Sequence, residues 1–426
     1  MTMKKKLALL LCMALCACVL SSCALLPLGG ISSMLPRSGG TGNAASQATA
    51  APAPSGNTVT ISREQYERYK QFDGLLDIMD NIDKYYLFDD ADHETLLQGA
   101  ATGMLDAVED PYTFYYTPDE FSKMWEDDNG NYVGIGVQIS ANYTTQICTI
   151  TRVFAGGPAD KAGVMKGDIL YRVNEDLYVT ADNLDEAVSI MRGVEGTDVT
   201  VTFLRGGEPY EVTMTRAAVV STRVDSMMLD NQIGYIYLYE FAGDCTKEFM
   251  AALDRLVDEG AKGIMIDLRD NGGGWVQDAR AIADFFLPSG VVCYLEDKAG
   301  NREYYRTFTD GSEVELPLVI LVNQYTASSS EILTGCLRDR ANCKVVGVKS
   351  YGKGIVQGVI NLNNGAGMQV TEAQYFTPNG NAVHKLGITP DVIVEMPEDA
   401  KTLYLFGDME DVQLKTAYDT MMEMLK

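Results

Sequence analysis

The chain is poor in several residues on which many enzymes and binding proteins depend. It has only two histidines among 426 residues, so very few bases are available to a Ser-His-Asp triad. Its nine cysteines form no CxxC pair and no paired spacing, which argues against a disulfide framework or a zinc site. The 34 Lys and Arg are outnumbered by 59 Asp and Glu. Because duplex binding relies on basic residues at phosphates, we expect no nucleic-acid partner.

Long apolar runs are also scarce, and the only one lies at the start of the sequence. Three lysines at 4–6 precede an apolar stretch, 7–20, which is too short to span a bilayer and is typical of a signal peptide. Leu20-Ser21-Ser22-Cys23 resembles the bacterial lipobox, in which the cysteine is lipidated and becomes the new N-terminus. We therefore expect a signal peptide at 1–22 and a lipid anchor at Cys23. That anchor predicts a location in the bacterial cell envelope, on the extracytoplasmic face of the membrane.

The N-terminal part of the remaining chain contains two segments of different composition. Residues 23–60 are rich in Gly, Ser, Ala and Pro, which predicts a flexible linker. Residues 61–130 predict a helical region, because apolar residues recur at helical spacing from Tyr66 to Met79. A second helix is expected from Leu96 to Val108, ended by the Asp110-Pro111 pair.

The rest of the chain changes from β-rich to α/β. At roughly 100–200 residues per domain, the length predicts two or three domains. Short β-like runs with glycine turns surround one helical stretch, Asn183 to Met191. Further on, Gly263–Leu268 and Leu316–Val322 are continuous apolar runs, typical of strands covered on both faces. The fold class expected is therefore mixed α/β, with a β-rich module (131–216), an α/β core (217–397) and a C-terminal helical segment (398–426).

Ser328 is the first candidate for catalysis. A buried strand, Leu316–Asn323, runs into a polar turn and then into a helix. A hydroxyl at such a turn is accessible and has free backbone N–H groups beside it, which suits a nucleophile with an oxyanion hole. From the local pattern alone, Ser328 could equally be a helix N-cap.

A serine nucleophile needs a base. His93 lies between Asp92 and Glu94 and has the pattern of a surface residue, so a Ser-His enzyme is possible only through His384. Lys353 is the alternative base, because glycines flank it and an apolar run follows it. Burial lowers the pKa of a lysine, and a shift from about 10.4 to about 7–8 costs roughly 4 kcal/mol. The competing interpretation is a loop lysine in a glycine-rich turn.

A third candidate is the glycine run after the other buried strand, Gly272, Gly273 and Gly274. Successive glycines permit positive φ and a close backbone approach, so this segment could donate N–H groups to an oxyanion. A phosphate loop is not favoured, because no Gly-Lys-Ser/Thr follows. A simple tight turn remains the other interpretation.

Together and in this order, the motifs resemble the carboxyl-terminal processing (tail-specific) serine peptidases. The likeness extends over most of the chain from about residue 61 to 426, and the Ser-to-Lys spacing of 25 fits it. One departure is Ser329, where the family usually has Ala. Because only the backbone N–H is needed there, we expect the change to be tolerated. The matching segments are Thr326–Ile332, Tyr351–Gln357, Asp267–Gly274, Thr377–Gly380, Gly387–Asp391 and, near the helical region, Gly103–Pro111.

The resemblance implies a mechanism and the residues that perform it. Ser328 would be the nucleophile and Lys353 its base, with Gln357 orienting the lysine. The N–H groups of Ser329 and of the Gly272–Gly274 loop would stabilise the oxyanion. No metal or cofactor is implied.

The resemblance also implies that residues 131–216 are a PDZ domain. Its tail-binding loop would be Gly134, Ile135, Gly136 and Val137, which would accept the C-terminal carboxylate of apolar protein tails. Arg192 is a candidate for coupling tail binding to activity. A homodimer through the helical segments and an activating partner are both compatible with the sequence. The alternative to an enzyme is a non-catalytic, lipid-anchored PDZ scaffold that binds tails without cutting them.

Overall fold

The computed structural model describes residues 59–88, 91–128, 131–143, 145–397 and 406–426. The predicted signal peptide, the lipidation site at Cys23 and almost all of the predicted linker lie outside these residues. The described chain divides into two units, one ending at Ala107 and the other beginning at Val108. Within the described ranges, no helix is long and apolar enough to cross a bilayer.

The described part of the first unit contains three helices. The first, α1, begins at a capping box in which Ser62 and Gln65 each accept the backbone N–H of the other. The chain tightens after α1, where the N–H groups of Gln71 and Phe72 bond carbonyls three residues back. The single helix expected from Tyr66 to Met79 is therefore two helices. None of the three helices contains a buried residue: α1 (Arg63–Lys70), α2 (Asp73–Tyr85) and α3 (His93–Asp106).

The second unit opens with a short strand and a helix and continues into a β-rich domain. The first strand of that domain pairs antiparallel with its last strand, so the two ends of the domain meet. In chain order the elements are β1 (Phe114–Tyr116), α4 (Pro118–Asp128), β2 (Asn131–Gly134), β3 (Val137–Asn142), β4 (Ile147–Val153), α5 (Pro158–Lys161), β5 (Ile169–Val173), β6 (Leu177–Tyr178), α6 (Leu184–Met191), β7 (Asp198–Arg205), β8 (Glu208–Thr215) and β9 (Ala217–Val220).

The sheet of the β-rich domain has strand order β3-β4-β5-β7-β8, with β6 paired to β5. β3 is therefore an edge strand. The helix expected from Asn183 to Met191 is α6, and it packs its buried face, Ala187 and Met191, on the domain core. That core is apolar and fully buried at its centre, where Ile150 and Phe203 meet.

The α/β part contains the remaining elements. In chain order they are β10 (Val224–Leu229), β11 (Ile233–Leu238), α7 (Cys245–Asp258), β12 (Gly263–Asp267), α8 (Val276–Asp284), β13 (Gly290–Asp297), β14 (Arg302–Thr307), β15 (Leu318–Val322), α9 (Ser329–Arg340), β16 (Cys343–Gly347), β17 (Ile355–Asn361), β18 (Gly367–Phe376), β19 (Val392–Ile393) and α10 (Val412–Met424).

The central sheet has strand order β10-β11-β12-β15-β16-β19 and is parallel apart from the β10–β11 pair. Every residue of β12 and β15 is buried, as their continuous apolar runs predict. Helices α7, α8 and α9 cover one face, and α10 covers the other through Leu414, Ala417 and Met421. In a parallel sheet covered on both faces, functional groups gather at the carboxyl ends of the strands. The glycine-rich turn follows the carboxyl end of β12, and the serine-rich turn follows the carboxyl end of β15.

A second sheet, of order β1-β18-β13-β14 with β17 also paired to β18, lies beside the first. Phe114–Tyr116 pairs antiparallel with Gly367–Gln369 of β18. This pairing brings the segment just before β1 to the strands that follow Lys353.

Candidate active site

Ser328 lies at the turn between β15 and α9 with an unusual backbone. Its φ is 55° and its ψ is −121°, a left-handed conformation that few residues other than glycine adopt. Its carbonyl accepts the N–H groups of Glu331 and Ile332 at 2.8 and 3.0 Å, which starts the helix. A strained serine at a strand-to-helix turn is the geometry of an exposed nucleophile.

The glycine loop after β12 lies directly against Ser328. A Cβ placed on Gly273 would be 2.7 Å from the Ser328 Cβ and 2.8 Å from the Ser329 nitrogen, so only glycine fits. The φ angles of Gly273 and Gly274, 105° and 136°, also favour glycine. Gly273 donates its N–H to Asn271 Oδ1 at 2.8 Å. Gly272 and Gly274 are therefore the remaining loop candidates for oxyanion donors in this conformation.

The two neighbouring serines attach this loop to α9. Ser329 Oγ donates to the Gly274 carbonyl at 2.6 Å, and Ser330 Oγ donates to the Asn271 carbonyl at 3.0 Å. Both serines are fully buried. Of the three adjacent serines, Ser328 is thus the one whose side chain takes no part in attaching the loop to α9.

A buried ion-pair network supports the base of the same loop. Asp267 accepts hydrogen bonds from Tyr235 Oη and Arg269 Nη2, both at 2.7 Å. Arg269 also donates to Asp411 at 2.6 Å and to Gln413 at 3.2 Å, at the start of α10. The C-terminal helix therefore holds the base of the glycine loop through one guanidinium. Sequence reasoning missed Asp411 and Tyr235, because no local pattern marks them.

Lys353 lies in the loop between β16 and β17 and is only 8% exposed. Its Nζ is 4.7 Å from the centroid of the Tyr112 ring. Gln357, from β17, is also buried, and its Nε2 donates to Thr371 Oγ1 at 3.4 Å. A Cβ on Gly354 would collide with the backbone of His384, so the loop is packed tightly on both sides.

Glu331 joins the serine turn to the lysine loop. Its carboxylate is fully buried and accepts the backbone N–H groups of Ser328 (3.0 Å), Lys353 (2.9 Å) and Gly352 (2.8 Å), and the hydroxyl of Ser350 (2.5 Å). Burial raises the pKa of Glu331, and these hydrogen bonds oppose the rise. Sequence reasoning quoted this glutamate as part of a motif but gave it no role. Its place one turn into the helix after Ser328 is the signal that could have found it.

The two histidines do not compete with Lys353 in this geometry. His93 bonds Asp83 at 2.9 Å in the first unit. Burial lowers the pKa of His384, and its Nδ1 is buried without a hydrogen-bond partner. No hydrogen bond connects His384 with Ser328 in the described part of the chain.

The predicted tail-binding loop lies between β2 and β3. Gly136 has a φ of 83° and its carbonyl accepts the Phe154 N–H at 3.0 Å. Ile135 is 3% exposed and packs in the domain core. Val137, on β3, and Val188, on α6, are partly buried and pack against the same domain core.

Two arginines lie where the β-rich domain meets the core. Arg192, at the end of α6, has its guanidinium 4.9 Å from the centroid of the Tyr132 ring, on β2. Arg152, on β4, lies 3.6 Å from the centroid of the Tyr239 ring and bonds Asp225 at 3.2 Å. The β-rich domain is thus attached to the central sheet through side chains as well as through the chain itself.

A metal centre has no support in the described ranges, since they contain no cluster of three or more His, Cys, Asp or Glu able to bind an ion. Five cysteines remain outside the predicted signal peptide and the predicted anchor Cys23, and this odd number predicts at least one free thiol. All five are free and buried: Cys148, Cys245, Cys293, Cys336 and Cys343.

Comparison with known proteins gives the site a family. Residues 232–394 match the model of peptidase family S41, and residues 133–215 match that of the PDZ domain. A carboxyl-terminal-processing protease of Synechocystis sp. is 36% identical over 325 residues, 74% of each chain. The carboxy-terminal processing protease CtpA of Bacillus subtilis is 33% identical over 340 residues, 79% of this chain and 72% of the relative.

Among solved structures, the photosystem II D1 C-terminal processing protease has a TM-score of 0.53 with 26% sequence identity. The match covers 83% of this chain and 97% of that one. The predicted fold class and the resemblance noted from the motifs are both confirmed by these matches. The chain belongs to the carboxyl-terminal processing serine proteases of peptidase family S41 and carries their PDZ domain.

Proposed function

We propose that this protein is an endopeptidase in which Ser328 is the nucleophile and Lys353 the general base. The observation that carries the proposal is the Glu331 carboxylate, which binds the backbone of both residues at once. The same carboxylate thus links the turn of a strained serine to the loop of a buried lysine, and a glycine loop contacts the serine. Two loops held by one buried carboxylate form a preorganised site rather than a chance neighbourhood.

In the proposed reaction, Lys353 Nζ takes the proton of Ser328 Oγ as that oxygen attacks the scissile carbonyl. The lysine then gives the proton to the leaving amine, and an acyl-enzyme remains on Ser328. Water, deprotonated by the same lysine, hydrolyses the ester. The oxyanion is stabilised by the Ser329 N–H, at the start of α9, and by an N–H of the Gly272–Gly274 loop. Gln357 orients Lys353 from β17.

The PDZ domain supplies the substrate. Because β3 is an edge strand, an extended protein tail adds to it as a further antiparallel strand. Its carboxylate is received by the N–H groups from Ile135 to Val137. The apolar flank of the groove, with Val137 and Val188, favours apolar tails. Arg192, stacked on Tyr132 of the connecting strand, couples the occupied groove to turnover.

The proposed location is the extracytoplasmic face of a bacterial membrane. It rests on the signal-like run and on the lipobox at Cys23, which lie outside the described residues. A homodimer through the first unit is part of the same proposal. Its support is the apolar surface exposed on α1 and α2, such as Tyr69 and Leu76.

The test is proteolysis of an unstructured protein with an apolar C-terminus by the full-length chain. Ser328→Ala and Lys353→Ala should each lower turnover by at least about 10³-fold, because the members of a nucleophile–base pair act as one unit. Matched controls are Ser312→Ala and Lys349→Ala, both at exposed positions, which should cut like the wild type. Equal cutting by all five proteins would refute the dyad. Tail binding without cutting by the wild type would favour the scaffold instead.

A further inference from the structure

The ring of Tyr112 is the aromatic group that lies against the Lys353 amine. The ring centroid is 4.7 Å from Nζ, within the range at which an aromatic face attracts an ammonium ion. Lys353 is buried, so this attraction is weakened little by water. The phenol oxygens of Tyr112 and Tyr351 lie 3.2 Å apart, which connects the ring to the loop that carries the lysine.

The backbone around Tyr112 is organised by the carboxylate of Asp110. Oδ1 accepts the Tyr112 N–H at 3.1 Å, and Oδ2 accepts the Thr113 hydroxyl at 2.7 Å. Such an Asx turn fixes the two residues that follow the aspartate and proline. The ring is therefore presented by a preformed turn.

Strand β18 holds this turn in place. Thr371 donates its hydroxyl to Asp110 at 2.6 Å and its N–H to the Thr113 hydroxyl at 3.1 Å. Gln369 Nε2 donates to the Tyr112 carbonyl at 3.1 Å. The same Thr371 hydroxyl accepts from Gln357, so the turn and the proposed orienting glutamine share one anchor.

We infer that Tyr112 is a positioning residue for the general base. Its ring holds the Lys353 amine in place and stabilises the ammonium that forms when Nζ takes the Ser328 proton. This role corresponds to that of the acid in a triad, which orients the base and stabilises its charged form. The inference rests on the proposed function, because it requires Lys353 to be the base.

Other titratable groups lie around the lysine loop and the turn that carries Tyr112. The carboxylates favour the ammonium, whereas burial and a charged imidazole would disfavour it. These groups are unchanged when only the ring is altered, so a comparison of ring variants isolates the contribution of Tyr112. They are Glu331 from α9, Asp110 from the turn before β1, Tyr351 from the lysine loop, and His384, whose backbone meets Gly354.

The experiment measures kcat, KM and the pH profile of kcat for Tyr112→Leu and Tyr112→Phe in the full-length chain. Loss of the aromatic face should lower kcat about 3- to 30-fold, with KM within about 2-fold. Because the face favours the ammonium, its loss should also move the acidic limb of the kcat profile about 0.5 to 1.5 pH units lower. Tyr112→Phe keeps the face and should retain the wild-type limb and kcat within about 3-fold.

Tyr115→Leu, the same change in strand β1, is the matched control and should retain wild-type kinetics. If Tyr112→Leu does not fold, phenylalanines of increasing fluorination at position 112 replace it, and the limb should move stepwise lower as the face loses electron density. A limb that does not move in either series overturns the inference, even if kcat falls. Lys353→Ala separates this result from the proposed function. If that variant cuts like the wild type, the dyad itself is wrong.

Discussion

The site proposed for the PDZ domain and the site proposed for the peptidase core are built in opposite ways. The PDZ site is an open edge: β3 ends its sheet, and the side chains behind it are already packed into the domain core. The core site lies at the ends of two fully buried central strands, β12 and β15. There, buried hydrogen bonds hold the loops that carry Ser328 and Lys353.

The comparison shows where each site is vulnerable. Binding along an edge strand uses main-chain groups, which every side-chain substitution leaves in place. A site made by closing loops on a buried carboxylate has no such tolerance, because each lost partner leaves a buried donor unsatisfied. Single substitutions should therefore harm catalysis far more than tail binding.

Among substitutions outside the proposed dyad, the largest effect is expected from Glu331→Gln. The amide keeps one acceptor and turns an NH2 group toward N–H donors, so two loops lose charge-assisted hydrogen bonds. The weaker hydrogen bonds should raise the activation free energy by about 2–3 kcal/mol, which lowers kcat about 100-fold. Steady-state kinetics with a tail-bearing substrate measure it, and a tail-binding assay on the same variant should give the wild-type affinity.

Glu372→Gln is the matched control, since this carboxylate is exposed on β18. It should leave kcat within about 2-fold of the wild type. If Glu331→Gln weakened tail binding as strongly as turnover, the contrast between an open and a closed site would be wrong.

A smaller effect is expected in the PDZ groove from Val188→Asp. A carboxylate on α6 replaces apolar surface and repels the carboxylate of the incoming tail, so the affinity for an apolar C-terminal peptide should fall about 10-fold. Arg192→Ala is the reciprocal variant: it should lower turnover while leaving tail affinity largely intact. Fluorescence anisotropy and kinetics on the two variants separate binding from coupling. Unchanged turnover in Arg192→Ala would remove that arginine from the mechanism.

The sequence was informative where a residue or strand lies in a recognisable local pattern. Ser328 and Lys353 stand in glycine- or hydroxyl-rich turns next to apolar runs, and the buried strands β12 and β15 are continuous apolar segments. The break after α1 was not visible, because the apolar residues keep their helical spacing across it. The backbone hydrogen bonds of Gln71 and Phe72, however, reach back three residues instead of four.

Contacts between distant segments were also invisible. Arg269 and Asp411 are 142 residues apart, and the Tyr112 ring reaches a lysine in a loop that follows β16. Neither Asp411 nor Tyr112 lies in an unusual local sequence pattern, so these two contacts are visible only in the folded chain. The burial of the Ile135 side chain in the domain core was likewise not visible from its place in the glycine loop.

Acidification provides the subtlest test of the contrast, because two buried carboxyls have pKa values displaced in opposite directions. Burial raises the pKa of Glu331 above its usual value. In the PDZ domain, burial of Asp168 acts the same way, but hydrogen bonds from Arg205, Tyr210 and the Met165 N–H outweigh it and hold the pKa of Asp168 below its usual value. The core carboxylate should therefore take up a proton at a higher pH than the PDZ carboxylate.

The two protonations have different consequences. The folded pKa of Asp168 is depressed, so its stabilisation is present above its unfolded pKa and is lost only as the pH falls through the lower folded value. The folded pKa of Glu331 is raised, so its protonation favours folding but removes an acceptor from the loop N–H groups. Protonation of the proposed base Lys353 also stops turnover, so turnover should fail first as the pH falls, while tail binding and PDZ structure persist. Parallel titrations of kcat, tail affinity and circular dichroism measure the order, with Asp168→Asn bringing the PDZ loss to neutral pH. Simultaneous loss of all three signals in the wild type would mean that the two sites share one stability and that the contrast between them is wrong.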